Sequence, residues 1–467
     1  MLDDMFDLLA QAKQGPAWRP IPAEIQAAIR EPIPMEAQGL EKVYRDYSDQ
    51  VLPYSTGNRH PRFFGWVMGT GTVTGMLAEM LKAASNPHMG GFNHSALHVE
   101  IEVLRWLSLL LGFPENSSGI LVGGGSMANM NGLAVARQQK APWDVRAEGM
   151  FGQPQLTVYA SSETHNWLIK ACELMGLGRR AIRFIPVNQQ GQMDLDSCRT
   201  QIQTDLRQGV HPFCIIGNAG TTSTGSIDDL VGQRALANEF GLWFHVDGAL
   251  GSLAALAPRG AALVQGQELA DSLAFDLHKW GYLPFEVACI LVRDPQAHRA
   301  TFAQAPAYLV SADRGISKGT TFFADRGYEL SREFRALKVW MALKERGVRH
   351  LGEVIQKNID QSFYLGRLVE NHAAFELLSP VCLNVVCFRY NPGGLSEAEL
   401  EAVNRETLLR IQEQGIAIPS HARIHDQFAI RVCNTNHRTR FSDMDLLLTE
   451  IHQMAKKVVR EMNLGKE

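Results

Sequence analysis

Long apolar runs are missing from this sequence: no window approaches the roughly 18 uninterrupted apolar residues of a membrane-spanning helix. Basic runs are missing too. The doublet Lys456–Lys457 reads as a solvated helix face, and the net charge is -4. Neither nucleic acid nor an anionic membrane is therefore an expected partner. The seven cysteines are scattered and never form C-x-x-C. An odd set without pairing motifs fits reduced thiols better than a disulfide framework. The start, "MLDDMFDLLAQAK", is acidic and amphipathic and lacks the pattern of a signal peptide. Together these predict a cytoplasmic protein. There is no P-loop, no G-x-S-x-G elbow and no H-E-x-x-H. His94 and His98 stand at helical i, i+4 spacing, but no third ligand of obvious kind follows, so no metal is expected.

What is present is a globular composition, 45% hydrophobic and 20% charged over 467 residues. Such a length suits one large domain with smaller additions. Residues 1–75 read as helices broken by Pro-rich connections such as "RPIPAEI". Residues 76–345 alternate short apolar runs with helical stretches. The runs include "GILVGGG", "LTVYAS", "FCIIGNAG", "LWFHVDG", "SLAFD" and "VACILVRD". Most are apolar throughout, the pattern of strands buried on both faces of a mostly parallel sheet. Residues 346–467 read as a small α+β unit around "LNVVCFRY" and "QFAIRVCN". The predicted class is thus α/β, a parallel central sheet covered by helices, with an N-terminal helical segment and a small C-terminal domain.

Unusual polar residues fall where the apolar runs end. Ser126, His165, Thr222, Asp247 and Lys279 each follow a predicted strand. Ligands of parallel α/β sheets bind beyond the carboxyl ends of the strands. The stretch "LVGGGSMANM" places glycines between a strand and a helix, an arrangement that suits an anion. Gly123, Gly125 and Ala128 also fit G-x-G-x-x-A, but the acid that a dinucleotide site needs has no second strand to sit on. Asp247 is either a loop cap or the partner of a cationic ring nitrogen. His165, taken alone, is more often a structural histidine. Lys279, behind His278 and before Trp280, is the oddest placement, because lysine is almost never buried without a partner. An amine against apolar walls is a nucleophile for a carbonyl. An anion cradle, an acid, a ring-stacking group and a lysine are together what pyridoxal phosphate requires.

These residues resemble the group II pyridoxal-phosphate-dependent amino acid decarboxylases. The resemblance runs through "HPRFFGW" (60–66), "EIEVLRWLSLLLGFP" (100–114), "GGGSMANM" (123–130), "HVDGALGS" (245–252), "LHKW" (277–280), "LSREFRALKVWMALKERG" (330–347) and "FAIRVCN" (428–434). It implies a type I aminotransferase-like fold, pyridoxal 5'-phosphate as cofactor, and a homodimer with its active sites at the interface. By the same resemblance Lys279 carries the cofactor, Asp247 faces its ring nitrogen and His165 stacks on its ring. Gly125, Ser126, Ala249 and His278 belong to the cofactor cradle, and Thr222 approaches from below. Trp66, Phe63, Phe64 and Met68 would line the substrate pocket, and Arg431 would take the substrate carboxylate. An aromatic L-amino acid is favoured over an acidic one. Two positions depart from the pattern. Asp276 stands where many relatives have Asn. Phe323 falls, counting back from "LSREFR", where the flexible loop of typical decarboxylases has a catalytic Tyr; Tyr308 and Tyr328 align elsewhere. A phenyl ring has no proton to give, so an aldehyde-forming oxidative reaction stands as an alternative to the amine. "FDLHKWGYLP" keeps open a carbon–carbon lyase of the sphingosine-phosphate type, and a non-catalytic binding relative is the reading of a different class.

Overall fold

The computed structural model of the chain describes residues 1–304, 314–318 and 321–464. By compactness it divides into two units, Thr74–Ile359 and Met1–Val73 with Asp360–Glu467. The first 73 residues thus group with the C-terminal part, whereas the sequence reads as three consecutive segments, 1–75, 76–345 and 346–467. The later boundary falls inside the helical stretch Ala336–Glu370.

The larger unit is built on a seven-stranded sheet. Its strands are β1 (Ser118–Val122), β2 (Leu156–Ser161), β3 (Ile182–Ile185), β4 (His211–Asn218), β5 (Trp243–Asp247), β6 (Ser272–Asp276) and β7 (Ala288–Val292). Their order is β1-β7-β6-β5-β4-β2-β3. Strands β3, β2, β4, β5 and β6 run parallel, and β7 is antiparallel to both β6 and β1. Every residue of β1, β2, β5, β6 and β7 is buried. That is why their sequences are continuous apolar runs: both faces are covered, so no polar alternation is tolerated. The helix Gly125–Lys140 lies close on the sheet. A Cβ at its Gly132 would stand 2.5 Å from Cε1 of His245, so a side chain there would lift the helix away.

The edge strand β1 would leave carbonyls without partners, and buried carbonyls are costly when unpaired. Two arginines answer this. Arg326 donates to the Gly119 carbonyl at 3.1 Å and Arg332 to the Leu121 carbonyl at 2.7 Å. Arg332 is fully buried and pairs with the equally buried Glu100 at 2.6 Å and 3.3 Å, while also donating to the Met89 carbonyl at 3.0 Å.

The smaller unit holds a second, antiparallel sheet. It comprises β8 (Phe375–Leu377), β9 (Val385–Tyr390), β10 (Ser420–Ile424) and β11 (Gln427–Cys433), in the order β10-β11-β9-β8. The helices Glu397–Glu413 and Phe441–Glu461 pack on it around Phe388, Ile430, Val432, Leu447 and Ile451. The N-terminal segment joins this unit by backbone pairing. Phe64 N–H donates to the Ile418 carbonyl at 2.8 Å, Ile418 N–H to the Arg62 carbonyl at 2.9 Å, and Cys433 N–H to the Phe64 carbonyl at 2.9 Å. Among the described residues no helix is long and apolar enough to cross a membrane.

Replacing Arg332 with Leu strands a buried carboxylate at Glu100. The expected loss is about 3–5 kcal/mol of stability, and the double change Glu100→Leu/Arg332→Leu should recover part of it. Urea unfolding midpoints of the three proteins check this; equal midpoints for wild type and Arg332→Leu would refute it.

Candidate active site

Parallel strands bring their carboxyl ends to one edge of the sheet, and the polar residues gather there. In register, Asn218 at the end of β4 pairs with Asp247 at the end of β5, and Asp247 with Ala274 of β6, two residues before Asp276. The chain after β6 turns back into β7. Leu277 and His278 both donate backbone N–H groups to the Val287 carbonyl, at 3.0 Å and 3.1 Å, and Tyr282 donates to the Lys279 carbonyl at 3.2 Å. The turn is also pinned by side chains. Trp280, fully buried, donates its indole N–H to Asn358 Oδ1 at 3.3 Å, and Tyr282 donates its hydroxyl to the same oxygen at 2.8 Å. Tyr282 accepts a φ of 56°, a conformation that L side chains rarely adopt. Lys279 is aimed out of this turn, with Nζ 2.8 Å from Asp276 Oδ2.

The glycine stretch after β1 leads into the helix Gly125–Lys140. Its N-cap, Gly124, has φ 146° and offers no side chain to the first-turn amides. Those amides carry the positive end of the helix dipole and suit an anion. Absence of side chains is what lets this turn approach the strands. A Cβ on Gly123 would stand 2.5 Å from Glu286 Oε1. A Cβ on Gly125 would stand 2.6 Å from Asp276 Oδ2 and 3.1 Å from the Ala249 Cβ. Ser126 is exposed on the first turn of the helix.

His278 is buried. Its Nδ1 accepts the Val287 N–H at 3.1 Å, and its ring lies 4.6 Å from that of Phe285. Burial pushes its pKa down, opposed by the Asp276 carboxylate. A neutral ring that accepts at Nδ1 carries its proton on Nε2, which points away from that bond.

Asp247 is held from two sides. The Trp167 indole N–H donates to Oδ2 at 2.6 Å and the Ala249 amide to Oδ1 at 3.1 Å. Trp167 also donates its backbone N–H to His165 Nδ1 at 3.2 Å, so one residue orients both the acid and the imidazole. His165 itself stays solvent-accessible; its pKa is lowered, by partial burial first, with the Asp247 carboxylate opposing. Beneath Trp167, at 5.9 Å, lies the buried His245, which burial brings down to about 4. It is bracketed by Ser272 and Asn129, each at 2.8 Å. Asn218 donates its amide to Thr164 Oγ1 at 2.9 Å and to Asp228 Oδ2 at 2.9 Å, tying β4 to the loop that carries His165. Thr222 is exposed, while its neighbour Thr221 is buried and bonded to Ser226 at 2.8 Å.

The structure thus gathers the sequence candidates Gly125, Ala249, Asp247, His165, His278 and Lys279 on one edge of the sheet. Sequence reasoning missed Trp167, Asn218 and Asn358. Trp167, two residues after His165 in "THNW", was open to notice; Asn358, 79 residues beyond Lys279, carries no local signal.

Other candidates stand differently from expectation. Phe323 is fully buried, its ring flanked by the Arg332 and Arg326 guanidiniums at 5.0 Å and 5.1 Å. It fills the core behind β1. Tyr308 lies outside the described residues. The substrate-side candidates belong to the smaller unit. Phe64 does not face a pocket: it is fully enclosed in that unit's core, because its backbone pairs with Ile418 and Cys433. Arg431 is buried and donates to the Trp66 carbonyl at 2.8 Å and to Ser420 Oγ at 3.1 Å, so it braces the Trp66 turn. Trp66, at φ 51°, leaves more than half of its surface exposed. Its ring lies 6.2 Å from Phe63, and both line a groove of about 320 Å³ with Trp18, Tyr54 and Ile418. Met68 is half-buried, with its carbonyl accepting from Thr435 at 2.6 Å.

Comparison with known proteins gives this geometry its context. The pattern of the family described as "Pyridoxal-dependent decarboxylase conserved domain" matches residues 22–391. An aromatic-L-amino-acid decarboxylase of Bacillus atrophaeus is 31% identical, over 98% of this chain and 94% of its own. A phenylacetaldehyde synthase of Arabidopsis thaliana is 28% identical, over 92% of this chain and 89% of its own. The crystal structure of Oryza sativa TDC with PLP and tryptamine superposes with a TM-score of 0.90 at 25% identity, covering 98% of this chain and 96% of that one. The chain belongs to the pyridoxal-dependent decarboxylase family and is a pyridoxal-phosphate-dependent amino acid decarboxylase.

Proposed function

We propose that this enzyme removes carbon dioxide from an aromatic L-amino acid and releases the amine. The observation that carries the reading is the convergence of Lys279, the Trp167-held Asp247 and the side-chain-free start of the helix Gly125–Lys140 at one sheet edge. Pyridoxal phosphate fits these residues: the helix start at Gly125, free of side-chain caps, suits an anion, and a buried carboxylate held by two hydrogen bonds stands ready for a cationic nitrogen. When bound, the cofactor supplies an electron sink for the pair left behind by departing carbon dioxide.

The chain's own residues do the rest. Lys279 anchors the cofactor. The first-turn amides, with Ser126 and the Nε2–H of His278, hold its phosphate. Asp247, fixed by Trp167 and Ala249, keeps a proton on the ring nitrogen. His165, fixed by the Trp167 amide, covers the ring, and Thr222 approaches the opposite side. Arg431 braces the Trp66 turn within the smaller unit, and an aromatic substrate is preferred to an acidic one. The names of the relatives, an aromatic-L-amino-acid decarboxylase and a structure holding tryptamine, support the same choice. They also favour carbon dioxide loss over carbon–carbon cleavage of another kind. The aldehyde reading rested on Phe323. A ring buried between two guanidiniums is a packing residue, and it gives that reading no support.

Assembly and compartment belong to the same proposal. The helices Leu2–Ala10, Ala23–Ile29 and Leu40–Asp46 bury no residue within the chain, while Ile29, Ile33, Met35, Leu40 and Val43 are exposed. Such a surface supports a homodimer in which a second copy covers it. All seven cysteines are unpaired and six are buried, which supports a reducing, cytoplasmic setting.

Lys279→Ala should lose turnover and the visible absorbance of the bound cofactor while keeping its far-UV circular dichroism. Wild-type absorbance in that variant would refute the anchor. Asp247→Asn should retain cofactor and lose at least about 10²-fold in rate, the scale of one aligned electrostatic partner; near-normal turnover would reduce Asp247 to a loop cap. Product analysis should give one amine per carbon dioxide, with or without oxygen. Phe323→Tyr should leave that product unchanged. A shift from aldehyde to amine in this variant would restore the oxidative reading.

A further inference from the structure

Asp276 is a buried acid that the reading above leaves without a task. It is 2% exposed. Its Oδ2 is 2.8 Å from Lys279 Nζ. Its Oδ1 has no hydrogen-bond partner among the described residues, with the nearer imidazole nitrogen, His278 Nε2, 3.8 Å away. From the helix side it is approached by Gly125, where an added Cβ would stand 2.6 Å from Oδ2. The register partner on β7 is Ala288, which carries no charge. His278 and His165 are the titratable groups that feel both charges of the pair; Asp247 and Lys170 also act on His165, and Lys338 on His278. Glu286 lies further along, at Gly123, and is paired with Arg335 at 3.4 Å. Burial lowers the pKa of both histidines, so neither imidazole offers the pair a cation near neutrality.

This carboxylate therefore stands beside the helix start that takes an anion. Alone, Lys279 ammonium and Asp276 carboxylate balance each other. A phosphate arriving at the first turn of the helix adds negative charge next to the carboxylate, and like charges in a poorly solvated site repel strongly. Lysine, meanwhile, bonds a carbonyl only as the neutral amine. Both strains are relieved by moving one proton over the existing 2.8 Å contact.

We propose that Asp276 is the proton acceptor that converts Lys279 from ammonium to nucleophilic amine as the cofactor's phosphate arrives. The proposal rests on the reading of Lys279 as the residue that bonds the cofactor. The balance is simple. Asp276 carboxylate takes one proton from the ammonium. The amine lone pair then attacks the cofactor's aldehyde carbon, a carbon–nitrogen bond forms, and the aldehyde oxygen leaves as water with the two remaining amine protons. Asp276, now a carboxylic acid, no longer repels the phosphate and has an O–H to donate towards it. An amide in this position donates equally well and cannot accept the proton.

The test is the rate at which apoenzyme takes up saturating pyridoxal phosphate, followed by growth of the visible band, between about pH 6.5 and 8.5. In wild type the proton stays within the pair, so the rate should change by less than about twofold. In Asp276→Asn the lysine must lose its proton to solvent, so the rate should rise about tenfold per pH unit. Affinity for pyridoxamine 5'-phosphate, which has no aldehyde, should stay within a few-fold of wild type and reports an intact cradle. A wild-type rate that itself climbs tenfold per unit overturns the proposal without any variant. So does a flat profile in Asp276→Asn. If Lys279→Ala still forms the band, it is the assignment of the anchor that fails, and not only the role of Asp276.

Discussion

Everything in the site depends on how closely one helix start can approach the ends of β5 and β6. Gly125 sets that distance: a single added carbon would meet Asp276 Oδ2 at 2.6 Å and the Ala249 side chain at 3.1 Å. With hydrogen there, backbone amides, a buried acid and a lysine share one small volume. The contact is held from behind by the sheet. Arg326 and Arg332 satisfy the edge carbonyls of β1, and β1 delivers the glycines. The Glu100–Arg332 pair is therefore remote from the chemistry in sequence and close to it in effect.

The parallel sheet was legible because its strands are buried on both faces, which forces unbroken apolar runs such as "LTVYAS" and "SLAFD". The site candidates at the strand ends were legible for the complementary reason, since a polar residue ending such a run has little structural excuse. Three things were not. The grouping of residues 1–73 with 360–467 depends on backbone pairing of Arg62 and Phe64 with Ile418 and Cys433, contacts more than 350 residues apart that leave no periodicity. In "RFFGW" adjacent phenylalanines look alike, yet pairing sends Phe64 into the core and leaves Trp66 at the surface. The burial of Phe323 was not legible either, because an aromatic in a loop-like stretch gives no hint that Arg326 and Arg332, three and nine residues on, flank its ring.

Trp167 shows how much one residue can organise. Its side chain fixes Asp247 and its backbone fixes His165, so the groups assigned to the nitrogen and to the face of the cofactor share one support. Below it, His245 is neutral and saturated by Ser272 and Asn129, so the floor adds no charge to compete with Asp247.

The hairpin that carries Lys279 has a mechanical consequence. Its backbone is tied at Leu277, His278, Tyr282 and Leu283, and its indole and phenol are both tethered to Asn358. A main chain secured at that many points cannot swing. Movement of the amine then falls to rotations of its own four-carbon stem, so its reach is an arc drawn from a pinned pivot.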